Sequence, residues 1–486
     1  MKSSLLKVVV VPLIFTTAAT SLYSKDKKKN VLFISVDDMN NDLGCFGNPL
    51  VQSPNIDRLA SRGIAFTHAY CQFPLSSPSR SSILTGLRPD KTRVFDLRYH
   101  FRQDMPDIIT LPQMFIKNGY YVARVGKMYH YGNPGDIGTN GLDDKLSWME
   151  RFNPAGRDKT SLELDVINYT PSRGLGSAMG FYSDNEGTDK EHTDGKVATE
   201  TIELLKNHKD KPFFIAAGFY KPHCPWITPG KYFNFYKPYQ ISLPKISKET
   251  EKEYPELALA STQPWPYFGI TPDQAMECKL AYFAAISFVD AQIGRILDAL
   301  DSLGLSENTI IVFWSDHGYL LGEHGLWFKQ SCFEESAKSP LIISVPGLKT
   351  AGRTCKRIVE LVDIYPTLSD LTGLKSPIDL EGYSLSSLLQ NPEAKWEYPA
   401  YTQVQRGNTP GHSVRTETWR YTEWGFGTMG QELYNEETDP QELNNLASDP
   451  RYSEIVLKMK GLLKNVHPEA VEKGVALADT RERFCD

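Results

Sequence analysis

Leu75-Ser76-Ser77-Pro78-Ser79-Arg80-Ser81-Ser82-Ile83-Leu84-Thr85-Gly86 is the segment around which the rest of the chain can be organised. Its head has the Ser and Pro content of a loop. A helix is expected to begin near Ser79, with its N-terminus open to an anion. On both sides, short apolar runs alternate with amphipathic stretches. Val31 to Val36, Tyr120 to Val125, Phe213 to Gly218, Thr309 to Trp314 and Leu341 to Val345 read as strands. Leu111 to Lys117, Thr193 to Asn207 and Ile286 to Leu303 read as helices, the last with Ile286, Val289, Ile293, Ile296 and Leu297 on one face. Buried strands alternating with helices give an α/β fold with a large, mainly parallel sheet flanked by helices.

Near Pro377 the pattern changes. A Pro-containing linker leads to Ser413 to Trp424, which has the alternation of antiparallel strands, and a last helix is expected at about Glu454 to Leu463. The expected division is a catalytic-size domain over 25–376 and a smaller α+β subdomain with an antiparallel sheet over 377–486. Residues 1–24 have a different character. Lys2 and Lys7 precede the apolar run Val8 to Phe15, and small residues follow before Lys25. This is the pattern of a secretory signal, too short to span a bilayer, and no later segment is expected to span one. The protein is therefore expected to be exported, periplasmic or secreted.

The chain has 486 residues, with 53 Lys plus Arg against 59 Asp plus Glu and a formal charge of −6. With 41% apolar and 23% charged residues, it is neither a disordered chain nor a collagen-like repeat. The lack of excess positive charge argues against nucleic acid as a partner. The Cys count of seven is odd, and no CxxC spacing suggests zinc or thiol redox chemistry. Pairings cannot be assigned from spacing.

Ligands of open α/β sheets bind beyond the carboxyl ends of the strands. Three polar clusters lie there: Asp37-Asp38, Lys127 with His130, and Asp316-His317. A single Asp pair is more often a cap or a loop carboxylate. Two such clusters at separate strand ends repel each other unless a cation lies between them, which suggests a hard divalent ion, Ca²⁺ with Mg²⁺ as the alternative.

The segment from Ser76, Ser-x-Pro-Ser-Arg followed by Leu84-Thr85-Gly86 and Arg88-Pro89-Asp90, resembles the signature of the formylglycine-dependent sulfatases. The upstream Asp pair, Gly126-Lys127 and Ser315-Asp316-His317-Gly318 follow in the family's order, so the resemblance covers nearly the whole chain from about Asn30. It is closest to the iduronate-2-sulfatase branch through Thr92-Arg93-Val94-Phe95-Asp96, Lys127-Met128-Tyr129-His130, Lys221-Pro222-His223, Leu321-Gly322-Glu323-His324-Gly325 with Lys329, and Ser413-Val414-Arg415-Thr416. The resemblance implies an alkaline-phosphatase-like fold. It implies that Ser76 is oxidised to Cα-formylglycine by an anaerobic-type maturating enzyme. It also implies a metal held by Asp37, Asp38, Asp316, His317 and the modified Ser76, and a sulfated glycosaminoglycan oligosaccharide as substrate partner. Members of the branch remove 2-O-sulfate from uronic acids of heparan or dermatan chains.

The chemistry accounts for these residue types. A sulfate ester repels nucleophiles, so positive groups must surround it, and Arg80, Lys127 and Lys329 are the matched candidates. His130 and His223 are expected proton carriers, with Lys329 as a second donor to the leaving sugar oxygen. One hydroxyl of a hydrated aldehyde can attack sulfur while the second expels the sulfate, which a plain Ser hydroxyl cannot do. A Ser at position 76 reads as the natural Ser type rather than a replacement of Cys. Cys71 does not fit the signature and reads as a packed thiol. Lys221, Arg88, Arg93 and His412 are candidates for holding the substrate. Two rival functions are a phosphoester or phosphonate hydrolase of the same superfamily, and a non-catalytic binder of sulfated glycans.

Overall fold

The structure is a computed structural model that describes residues 28–246 and 251–466. The expected signal segment, His467 and Cys485 lie outside the described residues. Nine strands form the central sheet: β1 (Asn30–Asp37), β2 (Ile64–Tyr70), β3 (Tyr121–Gly126), β4 (Glu150–Phe152), β5 (Phe213–Pro222), β6 (Thr309–Ser315), β7 (Lys338–Ser344), β8 (Arg353–Cys355) and β9 (Val359–Glu360). Their order is β8-β2-β7-β6-β1-β5-β3-β4, with β9 also on β2. Only β7 runs against its neighbours β2 and β6, so the sheet is mainly parallel.

Every residue of β1 is buried, and its side chains divide by period two between two cores. Leu32, Ile34 and Val36 join one hydrophobic cluster, and Val31 and Phe33 join the other. The first cluster lies under α3 (Thr193–His208) and α4 (Pro272–Ser302). The second is closed by α2 (Leu111–Lys117) and α5 (Ile364–Thr372), while α1 (Ser76–Thr85) sits at the site end. Sequence periodicity placed only the second half of α4. The helix starts at Pro272, where Thr271 and Gln274 form a capping box. By length and composition α4 could cross a membrane, contrary to the expectation that no later segment would. It is instead the core helix, with 83% of its apolar window buried.

The C-terminal part is a four-stranded antiparallel sheet, β10 (Ala400–Arg406), β11 (Thr409–Arg415), β12 (Trp419–Trp424) and β13 (Gln431–Asn435). Helix α6 (Ser453–Val466) covers it through Met459 and Leu463. Between Pro377 and this sheet, Ile378, Leu380, Leu385, Leu388 and Leu389 still pack on the large domain's core. The six described cysteines are all free thiols.

Candidate active site

The parallel strands β6, β1, β5 and β3 end at one edge, and their ends carry Asp316-His317, Asp37-Asp38, His223 and Lys127. Two glycines let the backbones meet there. Gly218 of β5 accepts the N–H of Lys127 at 2.9 Å, and a Cβ on Gly218 would lie 1.9 Å from the Lys127 carbonyl oxygen. Gly126 has φ +73°, the left-handed turn that sends the chain into Lys127.

Ser76 opens α1, and its hydroxyl donates to Asp37 Oδ1 at 3.2 Å. Lys127 Nζ donates to Asp37 Oδ2 at 2.6 Å, and Lys329 Nζ to both Asp38 oxygens at 2.6 Å. Arg80 bridges Asp37 (3.2 Å) and Asp316 (2.9 Å), and its remaining donors go to the carbonyls of Val36, Lys127 and Met128. The guanidinium is thus a buried tie between strand ends, where the sequence suggested a sulfate-facing group. Imidazole orientation is fixed by backbone. His317 Nδ1 donates to the Gly318 carbonyl at 2.8 Å, and His223 Nδ1 to the Cys224 carbonyl at 2.6 Å. Their Nε2 atoms therefore turn toward Asp38, at 3.4 Å and 3.6 Å.

The donor set fits a cation. Asp37, Asp38 and Asp316 are fully or almost fully buried at one point. His317 Nε2 is buried there without a hydrogen-bond partner. Three carboxylates and an imidazole would hold a divalent ion, and the Gly318 carbonyl, by accepting Nδ1–H of His317, orients the imidazole for it. Burial opposes the charge of Asp37, but Lys127, Arg80 and Lys329 outweigh it and hold its carboxyl far below the usual range. Burial, with Asp37 and Asp316 nearby, pushes Asp38 up despite Lys329. Burial lowers Lys127, His130 and His223, the two histidines well below the usual imidazole range. Lys329 is raised because Asp38 and Asp37 overcome its burial. His130 Nδ1 is also buried without a partner, within the field of Lys127, Asp37 and Arg80.

The other substrate candidates diverge. Lys221 Nζ turns back into its own loop, onto the carbonyls of Pro225 (2.5 Å) and His223 (3.3 Å). Arg88 is buried in a two-pronged pair with Glu360 and lies over the Tyr401 ring, so its charge is already matched. Arg93 is half-buried in a left-handed conformation after a short helical turn. His412 is buried on β11 between Gln403 and Glu423, with its ring against Phe426. A support that no motif announced is Tyr282, whose hydroxyl donates to the Asp38 carbonyl; within the signature, the Ser79 hydroxyl donates to the Asp316 carbonyl. Arg173 was missed as well. Its guanidinium lies 3.8 Å from the Phe268 ring centre and reaches Phe328, the neighbour of Lys329.

Comparison with known proteins agrees with this arrangement. The profile described as Sulfatase matches residues 29–374, and that described as N-sulphoglucosamine sulphohydrolase, C-terminal, matches 322–469. Iduronate 2-sulfatase of Mus musculus is 33% identical over 537 residues, covering 90% of this chain and 93% of that one. Among solved structures, a phosphonate monoester hydrolase of Agrobacterium radiobacter superposes with a TM-score of 0.75 at 25% identity, covering 90% of this chain and 95% of that one. A 2-O GAG sulfatase superposes with a TM-score of 0.71 at 23% identity, covering 92% and 95%. The fold is the alkaline-phosphatase-like one of these sulfatases. Since the family profile spans the whole central sheet and a sulfatase shares a third of its residues across nine-tenths of the chain, this protein belongs to the sulfatases, the hydrolases of sulfuric esters.

Proposed function

We propose that this sulfatase removes the 2-O-sulfate of a uronic acid in a heparan- or heparin-type, or a dermatan- or chondroitin-type, glycosaminoglycan. It would do so with Ca²⁺ held by Asp37, Asp38, Asp316 and His317, and with Ser76 oxidised to formylglycine. The observation that carries the reading is Ser76 Oγ at 3.2 Å from Asp37 in a buried carboxylate cluster flanked by Lys127 and Lys329. The substrate class is supported by the identity to an iduronate 2-sulfatase over nine-tenths of the chain. When present, the cation and the hydrated aldehyde supply Lewis acidity and a nucleophilic hydroxyl with a second hydroxyl for release of sulfate.

The chain's own groups do the rest. Lys127 and Lys329 offset the charge of the sulfuryl oxygens in a water-poor site, where each interaction is strong. Burial keeps His130 and His223 neutral at rest, and an arriving anion favours their protonated forms. His130 assists at the position-76 hydroxyl, and His223 or Lys329 gives a proton to the departing sugar oxygen. Export to the periplasm or medium, by the segment 1–24, belongs to the same reading. So does oxidation of Ser76 by an anaerobic-type maturase.

Peptide mass after co-expression with such a maturase tests it, because conversion removes two hydrogens from the Ser76 peptide. The same sample is assayed on a 2-O-sulfated unsaturated uronate disaccharide. Conversion with sulfate release supports the proposal, and conversion without release overturns the substrate. The likeness to a phosphonate monoester hydrolase favours a second reading, which a higher kcat/KM on phosphonate than on matched sulfate esters would establish.

A further inference from the structure

A second group of metal-ligating side chains lies apart from the catalytic edge, where the large domain meets the C-terminal sheet. His324, Glu335 and Glu442 present ligand atoms that all lie within 4.8 Å of one another. His324 is 5% exposed and Glu442 is fully buried, while Glu335 is half-buried. None of the three belongs to the sulfate-ester site.

The hydrogen bonds fix the imidazole in the ligating form. Tyr254 gives its hydroxyl proton to the Glu442 backbone carbonyl at 3.1 Å, so toward His324 Nδ1, at 3.0 Å, it acts as the acceptor. Nδ1 therefore carries the hydrogen and Nε2 the lone pair. That Nε2 is buried and has no hydrogen-bond partner. The ring is held by stacking on Phe333 at 3.8 Å, and the Trp265 indole N–H grips the His324 carbonyl at 2.8 Å. A neutral imidazole oriented through its other nitrogen is the usual state of a metal-bound histidine.

Charge points the same way. Glu334, Glu335, Glu436 and Glu442 crowd the interface against Arg415, Arg420 and Lys338, so carboxylates outnumber cations. Glu442 keeps an oxygen without a well-formed hydrogen bond. Its Oε2 accepts the Glu334 N–H, while Oε1 lies 2.6 Å from Arg420 Nε without the geometry of a hydrogen bond. We propose that His324, Glu335 and Glu442 form a structural site for a divalent transition cation of the Zn²⁺ type, which ties the C-terminal sheet to the catalytic domain. One imidazole with two carboxylates suits Zn²⁺ better than the all-oxygen set that Ca²⁺ prefers.

The test uses the full chain, stripped with chelator and re-equilibrated in buffered Zn²⁺, with bound metal counted by mass spectrometry. Wild type should hold one Zn²⁺ per chain more than either His324→Gln or Glu335→Gln. Co²⁺ loading should give wild type a visible absorption band that Glu335→Gln lacks. Equal Zn²⁺ in wild type and Glu335→Gln, both with the same near-ultraviolet circular dichroism, overturns the proposal. Because Glu335 is only half-buried, that variant carries the test even if His324→Gln does not fold.

Discussion

Gly218→Ala tests the idea that the close approach of β5 to the strand end after β3 sets the catalytic geometry. A Cβ at position 218 would lie 1.9 Å from the Lys127 carbonyl oxygen and 2.4 Å from its carbon. Real Cβ atoms essentially never come within 3.0 Å of such atoms, so the backbones must part by about 1.1 Å. The displaced carbonyl is the one that accepts Arg80 Nη1 at 3.0 Å and the Ser35 hydroxyl at 3.0 Å. The displaced residue is the one whose Nζ holds Asp37. An error of about 1 Å in reacting geometry costs about 100-fold in rate, equivalent to about 2.7 kcal/mol of transition-state stabilisation. The assay is kcat/KM for an aryl sulfate, with the converted fraction of position 76 measured by peptide mass in both proteins and thermal unfolding recorded separately. A kcat/KM within about threefold of wild type, at equal conversion, refutes the reasoning.

Arg88→Ala strands Glu360 in a buried place and should cost about 3–5 kcal/mol of stability by urea unfolding, with KM for the folded enzyme unchanged. A large rise in KM would instead put Arg88 on the substrate. Chelation leaves three buried carboxylates facing one another, so activity should fall by about 100-fold or more and the melting temperature should drop, with Ca²⁺ restoring both. Zn²⁺ restoring turnover better than Ca²⁺ would contradict the proposed ion. Glu334 is held well below its ordinary 4.5, because Lys338, Arg415 and Arg420 outweigh its burial. Its stabilisation is therefore complete above that value and is lost as pH falls below it. Glu334→Gln should be less stable than wild type at neutral pH, and the gap between their melting temperatures should narrow on acidification. A constant gap would show that ionisation of Glu334 is not the cause.

The central strands were legible because a parallel strand covered on both faces is a nearly continuous apolar run, as Val31–Ile34 and Ile310–Trp314 are. The reversed direction of Lys338–Ser344 left no such mark, since pairing direction depends on partners far away in sequence. The first half of the core helix escaped periodicity for a related reason. Tyr282 to Phe288 in its middle is buried throughout, while Asp273, Glu277 and Lys279 in its first turns break the apolar run that a core helix would show. In the site, residues that follow strand ends could be placed by position alone: Asp37, Asp38, Lys127, Asp316 and His317. Roles that depend on a distant partner could not. Arg88 finds Glu360 at a separation of 272 residues, and Tyr282 reaches Asp38 across 244. For Arg80 the signature gave a position, but the direction of its guanidinium became visible only once both Asp37 and Asp316 were in place.

With Ser76 oxidised as proposed, its depth also constrains when this protein can be made competent. The residue is 2% exposed, and all ten residues of its helix are buried. On the proposed reading, an enzyme that oxidises the Ser76 side chain must first reach it, and the native state buries that residue with its whole helix. The proposed conversion would then fall on the nascent or still unfolded chain, in competition with the closing of the sheet edge over position 76. A molecule that folds first is locked out of activation for as long as it stays folded. The active fraction of a preparation is then a record of a race during synthesis, which no later treatment of the native protein can rerun.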